Sequence, residues 1–123
     1  MKKWFALLVA SAAMLITLTA CGAETANTFA ETKDPAKQEL KIIATNFQFD
    51  QPEYRVKQGE PFTINFESKE GVHGVRIEGI DGSFNKSNNT KTVVASKPGT
   101  YSIICNISCG TGHSKMTAKL IVE

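Results

Sequence analysis

Twelve residues near the C-terminus, Cys105 to Met116, read C-N-I-S-C-G-T-G-H-S-K-M. They place two thiols, an imidazole and a thioether at spacings C-x3-C-x3-H-x2-M. Soft and borderline donors of this kind select copper over magnesium, calcium or manganese. The rest of the chain concentrates the signal. It has two histidines, His73 and His113, three methionines and three cysteines. Met1 and Met14 lie in an apolar N-terminal stretch, and Cys21 stands at its end. Nearly every soft donor beyond that stretch is therefore inside the run or is His73.

Taken singly, each donor has a plainer reading. Cys105 and Cys109 are spaced to form a disulfide, which exported proteins favour. Met116 alone reads as core packing, its sulfur filling a gap. His73 alone reads as a core or surface histidine, and Glu70 and Lys115 as solvated charges. Zinc takes Cys2His2 sets, but would give Met116 no role and carries no electron. The four donors at these spacings together favour a copper site, either mononuclear or dinuclear.

Such donors need a scaffold, and the pattern from Glu39 onward is one of short strands between turns. Leu40 to Thr45, Gln48 to Asp50, Tyr54 to Val56, Val72 to Ile77, Thr92 to Ala95, Tyr101 to Cys105 and Met116 to Val122 read as strand segments. In Pro61 to Glu67, Phe62, Ile64 and Phe66 alternate with Thr63 and Asn65, the period of a half-buried strand. Asp81 to Asn89 is polar and reads as a long loop, and Lys97-Pro98-Gly99 as a turn. No segment after residue 39 keeps a helical period. The expected fold is all-β: a Greek-key β-sandwich of seven or eight strands spanning residues 39–123. His73 falls in a middle strand and the other donors on the loop between the last two.

The N-terminus places the domain. Lys2 and Lys3 precede an apolar run from Trp4 to Leu18, which ends in Leu18-Thr19-Ala20-Cys21. A basic start, a short apolar core and small residues before a cut site describe a signal peptide over residues 1–20. The plainer reading is a transmembrane anchor that is never cleaved, for which the run is short of the roughly 20 apolar residues a span needs. The L-T-A-C ending resembles the lipobox of bacterial lipoproteins, which implies a lipid on Cys21 and a location on the extracytoplasmic face of the cell membrane. Residues 21–38 hold one large apolar side chain, Phe29, and read as the lipidated cysteine and a flexible tether. The chain carries 14 Lys+Arg and 12 Asp+Glu. Removing Lys2 and Lys3 with the signal leaves twelve of each, and a balanced domain has no electrostatic footprint for nucleic acid.

The run Cys105–Met116, with an upstream histidine, resembles the dinuclear CuA motif of cytochrome c oxidase subunit II and of nitrous oxide reductase, carried on a cupredoxin fold. Pro98-Gly99-x-Tyr101 before Cys105 and Glu70 three residues before His73 are similar too. The likeness covers roughly residues 59–123. It implies two copper ions bridged by the thiolates of Cys105 and Cys109, with His73 and His113 each binding one ion. It implies Met116 as a weak ligand to one copper and the carbonyl of Ile107 to the other. Gly110 and Gly112 would permit the tight loop, and Ile103, Ile104 and Ile107 would supply apolar surroundings. Two features depart from the oxidase subunit. Ile107 stands where that family commonly has a magnesium-binding glutamate, and Trp4, in the signal, is the chain's single tryptophan.

The function expected is a membrane-tethered relay of single electrons, with a redox partner such as a cytochrome c or a terminal oxidase. The departures favour a free-standing relay over a standard oxidase subunit. The alternatives are a copper-handling protein for oxidase assembly and a mononuclear blue-copper carrier. No nucleophile elbow, carboxylate pair or phosphate-cradling loop is present. No catalytic residue and no small-molecule substrate are therefore expected, and the chain by itself reads as a carrier rather than an enzyme.

Overall fold

The computed structural model describes residues 27–123. The signal segment 1–20 and Cys21 lie outside the described residues. Nine strands follow in chain order: β1 Phe29–Glu31, β2 Gln38–Thr45, β3 Gln48–Phe49, β4 Glu53–Val56, β5 Phe62–Ser68, β6 Val75–Ile77, β7 Thr90–Ala95, β8 Gly99–Cys105 and β9 Thr117–Val122. One turn of 3-10 helix, His113–Lys115, interrupts the last loop. No helix among the described residues is long and apolar enough to cross a membrane.

The strands form two sheets, ordered β1-β7-β5-β2-β3 and β4-β9-β8-β6. From β3 to β8 every connection passes from one sheet to the other. Two pairings are parallel, β2 with β5 and β4 with β9, and each joins strands distant in sequence. The inner faces meet through the alternation visible in the sequence. Phe62, Ile64 and Phe66 of β5, Leu40, Ile42 and Ala44 of β2, and Ala118, Leu120 and Val122 of β9 are all buried, with more exposed residues between them. Period-two burial of this kind fixes register, because a slip of one residue would turn every apolar side chain outward.

Three segments differ from expectation. Phe29–Glu31, within the expected tether, is the first strand and pairs antiparallel with β7. The reason is Phe29, whose ring is buried edge-on against Tyr101 at 4.9 Å and Phe62 at 6.4 Å. Asp81 to Asn89 is not wholly a loop. Phe84 is 1% exposed and exchanges two backbone hydrogen bonds of 2.8 Å with Val75. A single inward residue has no periodicity to announce it. The Val72–Ile77 strand is shorter than expected: β6 starts at Val75, and Val72 is 73% exposed.

Tyr54, buried in β4, donates a 2.6 Å hydrogen bond to Asp50 Oδ1, which also accepts the Ile43 N–H at 2.9 Å. This ties the β3–β4 connection to β2. Burial, then the hydrogen bond and charge of Asp50, hold the phenol far above its ordinary range, against a smaller opposing backbone hydrogen bond with Gln51. The folded protein thus keeps a proton that the unfolded chain releases near pH 10. The associated stability is complete below that pH and is lost as pH rises above it. Tyr54→Phe should cost about 1.5 kcal/mol at pH 7. Between pH 10 and 11, urea midpoints of the parent should fall more steeply than those of the variant. Parallel midpoints over that interval would refute the assignment.

Candidate metal centre

β8 delivers Cys105 to one end of the sandwich, and β9 leaves from the same end. The loop between them is closed at its base by the Cys105 N–H donating to Met116 O at 3.1 Å. Its distal part turns back through three short backbone bonds: His113 N to Gly110 O, Lys115 N to Gly112 O, and Met116 N to His113 O. His73 reaches the loop because β6 pairs with β8, with Val75 opposite Cys105. The chain just before β6 therefore lies beside the start of the loop, where the Asn106 N–H donates to Gly74 O at 3.2 Å. Gly74 permits that approach. A Cβ there would lie 2.6 Å from Asn106 Oδ1 and 2.8 Å from Ile107 Cδ1.

Four of the five expected nitrogen and sulfur donors form a chain of contacts. His73 Nδ1 lies 4.0 Å from Cys105 Sγ, the two sulfurs are 3.7 Å apart, and Cys109 Sγ lies 3.6 Å from His113 Nδ1. The donor atoms of His73, Cys105 and Cys109 all fall within 4.8 Å of one another. The Ile107 carbonyl, expected as a weak donor, accepts from Cys105 Sγ at 3.2 Å. Met116 is buried at the base of the loop beside them in sequence. Both cysteines are free thiols, so the disulfide alternative is not the state seen.

Burial divides the donors. His73, Cys105 and Met116 are buried, whereas Cys109 and His113 are half-exposed. Burial, with the hydrogen bond and charge of Cys105, holds the Cys109 thiol above its ordinary range, against a smaller opposing backbone hydrogen bond. A bound cation favours thiolates over thiols. Ion and proton therefore compete for the same pair.

Of the apolar residues flanking Cys105, Ile103 is fully buried, but Ile104 is 42% exposed and faces outward, as strand alternation demands. Two supporting residues escaped the sequence reading. Phe47, in the β2–β3 turn, sets its ring edge-on to the His73 imidazole, centroids 6.4 Å apart. It also fills the space that Gly110 and Gly112 leave. A Cβ on Gly112 would fall 2.4 Å from Phe47 Cβ, and one on Gly110, at φ +135°, would fall 2.9 Å from Phe47 Cε1. Asn46, next to it, places Oδ1 3.3 Å from His73 Nε2. Neither residue carries a sequence signal, since an N-F pair in a turn has no spacing to the motif.

No protein-family profile matches the chain. It is 27% identical over 92 residues to cytochrome c oxidase subunit 2 of Thermus thermophilus, covering 72% of this chain and 68% of that protein. Against a second Thermus thermophilus sequence of that subunit the matched part is 55% of its length, so the chain spans only part of these relatives. It is also 28% identical to amicyanin-alpha of Methylorubrum extorquens, covering 94% of this chain and 98% of that one. Among solved structures, a chain of a heme-copper terminal oxidase dimer superposes with a TM-score of 0.60 at 27% identity, over 76% of this chain and 70% of that one. The expected sandwich is thus a cupredoxin fold, and the chain is similar both to cytochrome c oxidase subunit II and to the amicyanin branch of the cupredoxins.

Proposed function

We propose that this domain is a cupredoxin-type electron-transfer copper protein, and that its centre is dinuclear. The observation that supports two ions is the division of the imidazoles. His73 lies nearest Cys105, His113 lies nearest Cys109, and the two sulfurs stand between them. A single ion would favour both imidazoles converging on one thiolate. In this reading the thiolates of Cys105 and Cys109 and the imidazoles of His73 and His113 would hold the copper, with Met116 and the Ile107 carbonyl as weaker donors. Copper supplies one-electron exchange. The chain's own residues hold the donors in place across both oxidation states. The paired β6, β8 and β9 backbones carry Cys105 and place His73, while the buried Ile103 and Met116 keep water from the inner side. Half-exposed Cys109 and His113 are the donors open to a partner's approach.

The partner class is a redox protein such as a cytochrome c, or an oxidase, on the extracytoplasmic side, with the domain tethered through a lipid on Cys21. A mononuclear blue site is the second reading, favoured by the nearly full-length similarity to amicyanin-alpha. A copper-delivery role is the third, and it predicts ready surrender of copper to chelators. The deciding experiment is copper analysis and electron paramagnetic resonance on the full chain. Two coppers per chain with a delocalised mixed-valence signal are expected. One copper with a simple four-line spectrum would move the assignment to the mononuclear site.

A further inference from the structure

His73 is a buried polar side chain, 2% exposed. Its two ring nitrogens face different neighbours. Nδ1 points to Cys105 Sγ at 4.0 Å, and Nε2 lies 3.3 Å from Asn46 Oδ1. Asn46 comes from the β2–β3 turn, on the sheet opposite β6 and β8. We propose that Asn46 is the positioning residue of the centre: its side-chain carbonyl accepts the Nε2–H of His73 and leaves Nδ1 bare and aimed at the thiol pair. This deepens the function proposed above and rests on its reading of His73 as a ligand.

The surroundings of Asn46 are built to hold it there. Its backbone N–H donates to Glu70 Oε2 at 3.4 Å. The 68–71 segment is fixed in turn: Ser68 Oγ donates to Gly71 O at 3.0 Å, and the Lys69 N–H donates to Ala44 O at 2.9 Å. Gly71 has φ +74°, and a Cβ on it would lie 2.6 Å from Asn46 Oδ1 and 3.0 Å from His73 Nε2. Glycine at 71 is therefore what leaves room for the amide and the ring to meet. The carboxylate of Glu70 is spent on the backbone of Asn46, so a neutral amide faces the imidazole. A neutral acceptor polarises a ring N–H less than a charged one. Partners of this kind orient ligating imidazoles and set their basicity. An amide here keeps the ring less electron-donating than a carboxylate would.

The test uses the full chain with Asn46→Ala and Asn46→Asp. Asn46 is exposed, so both variants should fold. In the copper-free protein, the Nε2 proton of His73 should be observable by imidazole nitrogen NMR. It should exchange at least about ten-fold faster in Asn46→Ala and be protected again in Asn46→Asp. Copper affinity should fall about ten-fold or more in Asn46→Ala, the usual loss when a ligating histidine forfeits its outer partner. Asn46→Asp should keep the affinity and lower the reduction potential, because a more basic imidazole favours the oxidised state. Unchanged proton exchange and unchanged affinity in Asn46→Ala would overturn the proposal. Faster exchange in a protein that takes up no copper would uphold the Asn46–His73 contact and sink the function proposed above.

Discussion

Changing Cys105 to serine should strip the protein of copper while leaving the fold standing. A serine hydroxyl stays protonated at neutral pH and is a hard donor, so it cannot replace a thiolate for copper. It can, however, keep the hydrogen bond that Cys105 makes to the Ile107 carbonyl, so the buried position stays satisfied. The copper-free protein should therefore lose only about 1 kcal/mol. Copper affinity should fall by more than the roughly 100-fold that losing an outer-shell partner can cost. The companion change separates the two site models. With bridging thiolates, Cys109→Ser should be as damaging as Cys105→Ser, and both should abolish the mixed-valence signal. With one ion, one cysteine is a ligand and the other a bystander, so one variant should keep full copper and its spectrum. Copper analysis of the two purified variants decides between these outcomes.

Gly112→Ala is the second large effect, and it acts without touching a donor atom. Gly112 has φ −91° and ψ 2°, a conformation that alanine accepts. The obstacle is Phe47, whose Cβ and Cγ would both lie 2.4 Å from the new methyl group. These are atoms at the root of the side chain, so a rotamer change alone does not clear them, and backbone must move. Overpacking of this kind costs about 1–3 kcal/mol. Because Phe47 also packs edge-on to His73, the displacement should reach that imidazole and, if it is a ligand as proposed, weaken copper binding. Phe47→Cys would still clash at Cβ, whereas Phe47→Gly removes both contacting atoms. Urea unfolding of Gly112→Ala, Phe47→Gly and the double variant should show a coupling of at least about 0.5 kcal/mol, the double costing less than the two singles combined. Additive costs would mean that the clash is relieved elsewhere.

The part of this molecule that sequence makes visible is the part that repeats or is chemically rare. The alternation of Phe62, Ile64 and Phe66 announces β5, and the C-x3-C-x3-H-x2-M spacing announces the loop of candidate donors, because both depend on short-range offsets. The structure brings the two thiols together and sets an imidazole against each, which the offsets alone could not show for His73, 32 residues upstream of Cys105. What stayed hidden depends on single residues meeting across sheets. Phe84 enters the core from a polar stretch, Phe29 turns three expected tether residues into a strand, and Asn46 and Phe47 support His73 from the other sheet. Each contact is made by tertiary packing at one position, and a lone position has no period to read. Ile104 failed in the opposite sense: apolar in type, it sits on the outward phase of β8, and strand geometry overrules residue type there.

The edge position of β1 has a consequence for how the domain would stand on a membrane. Thr28 O accepts the N–H and the hydroxyl of Ser96, just before the turn that leads into Gly99. That turn starts β8, and β8 runs its seven residues, roughly 20 Å, before ending at Cys105. The chain thus enters the sandwich at the pole opposite the thiols. If Cys21 carries the lipid, the seven residues from there to Thr28 reach at most roughly 25 Å, far less than a tether running to residue 38 would allow. A domain held so short, and by that pole, would have its redox centre facing away from the bilayer, a full strand length farther out than its point of attachment. Its partners would then meet it from the aqueous side, carrying their own electron-exchange surface clear of the lipid headgroups.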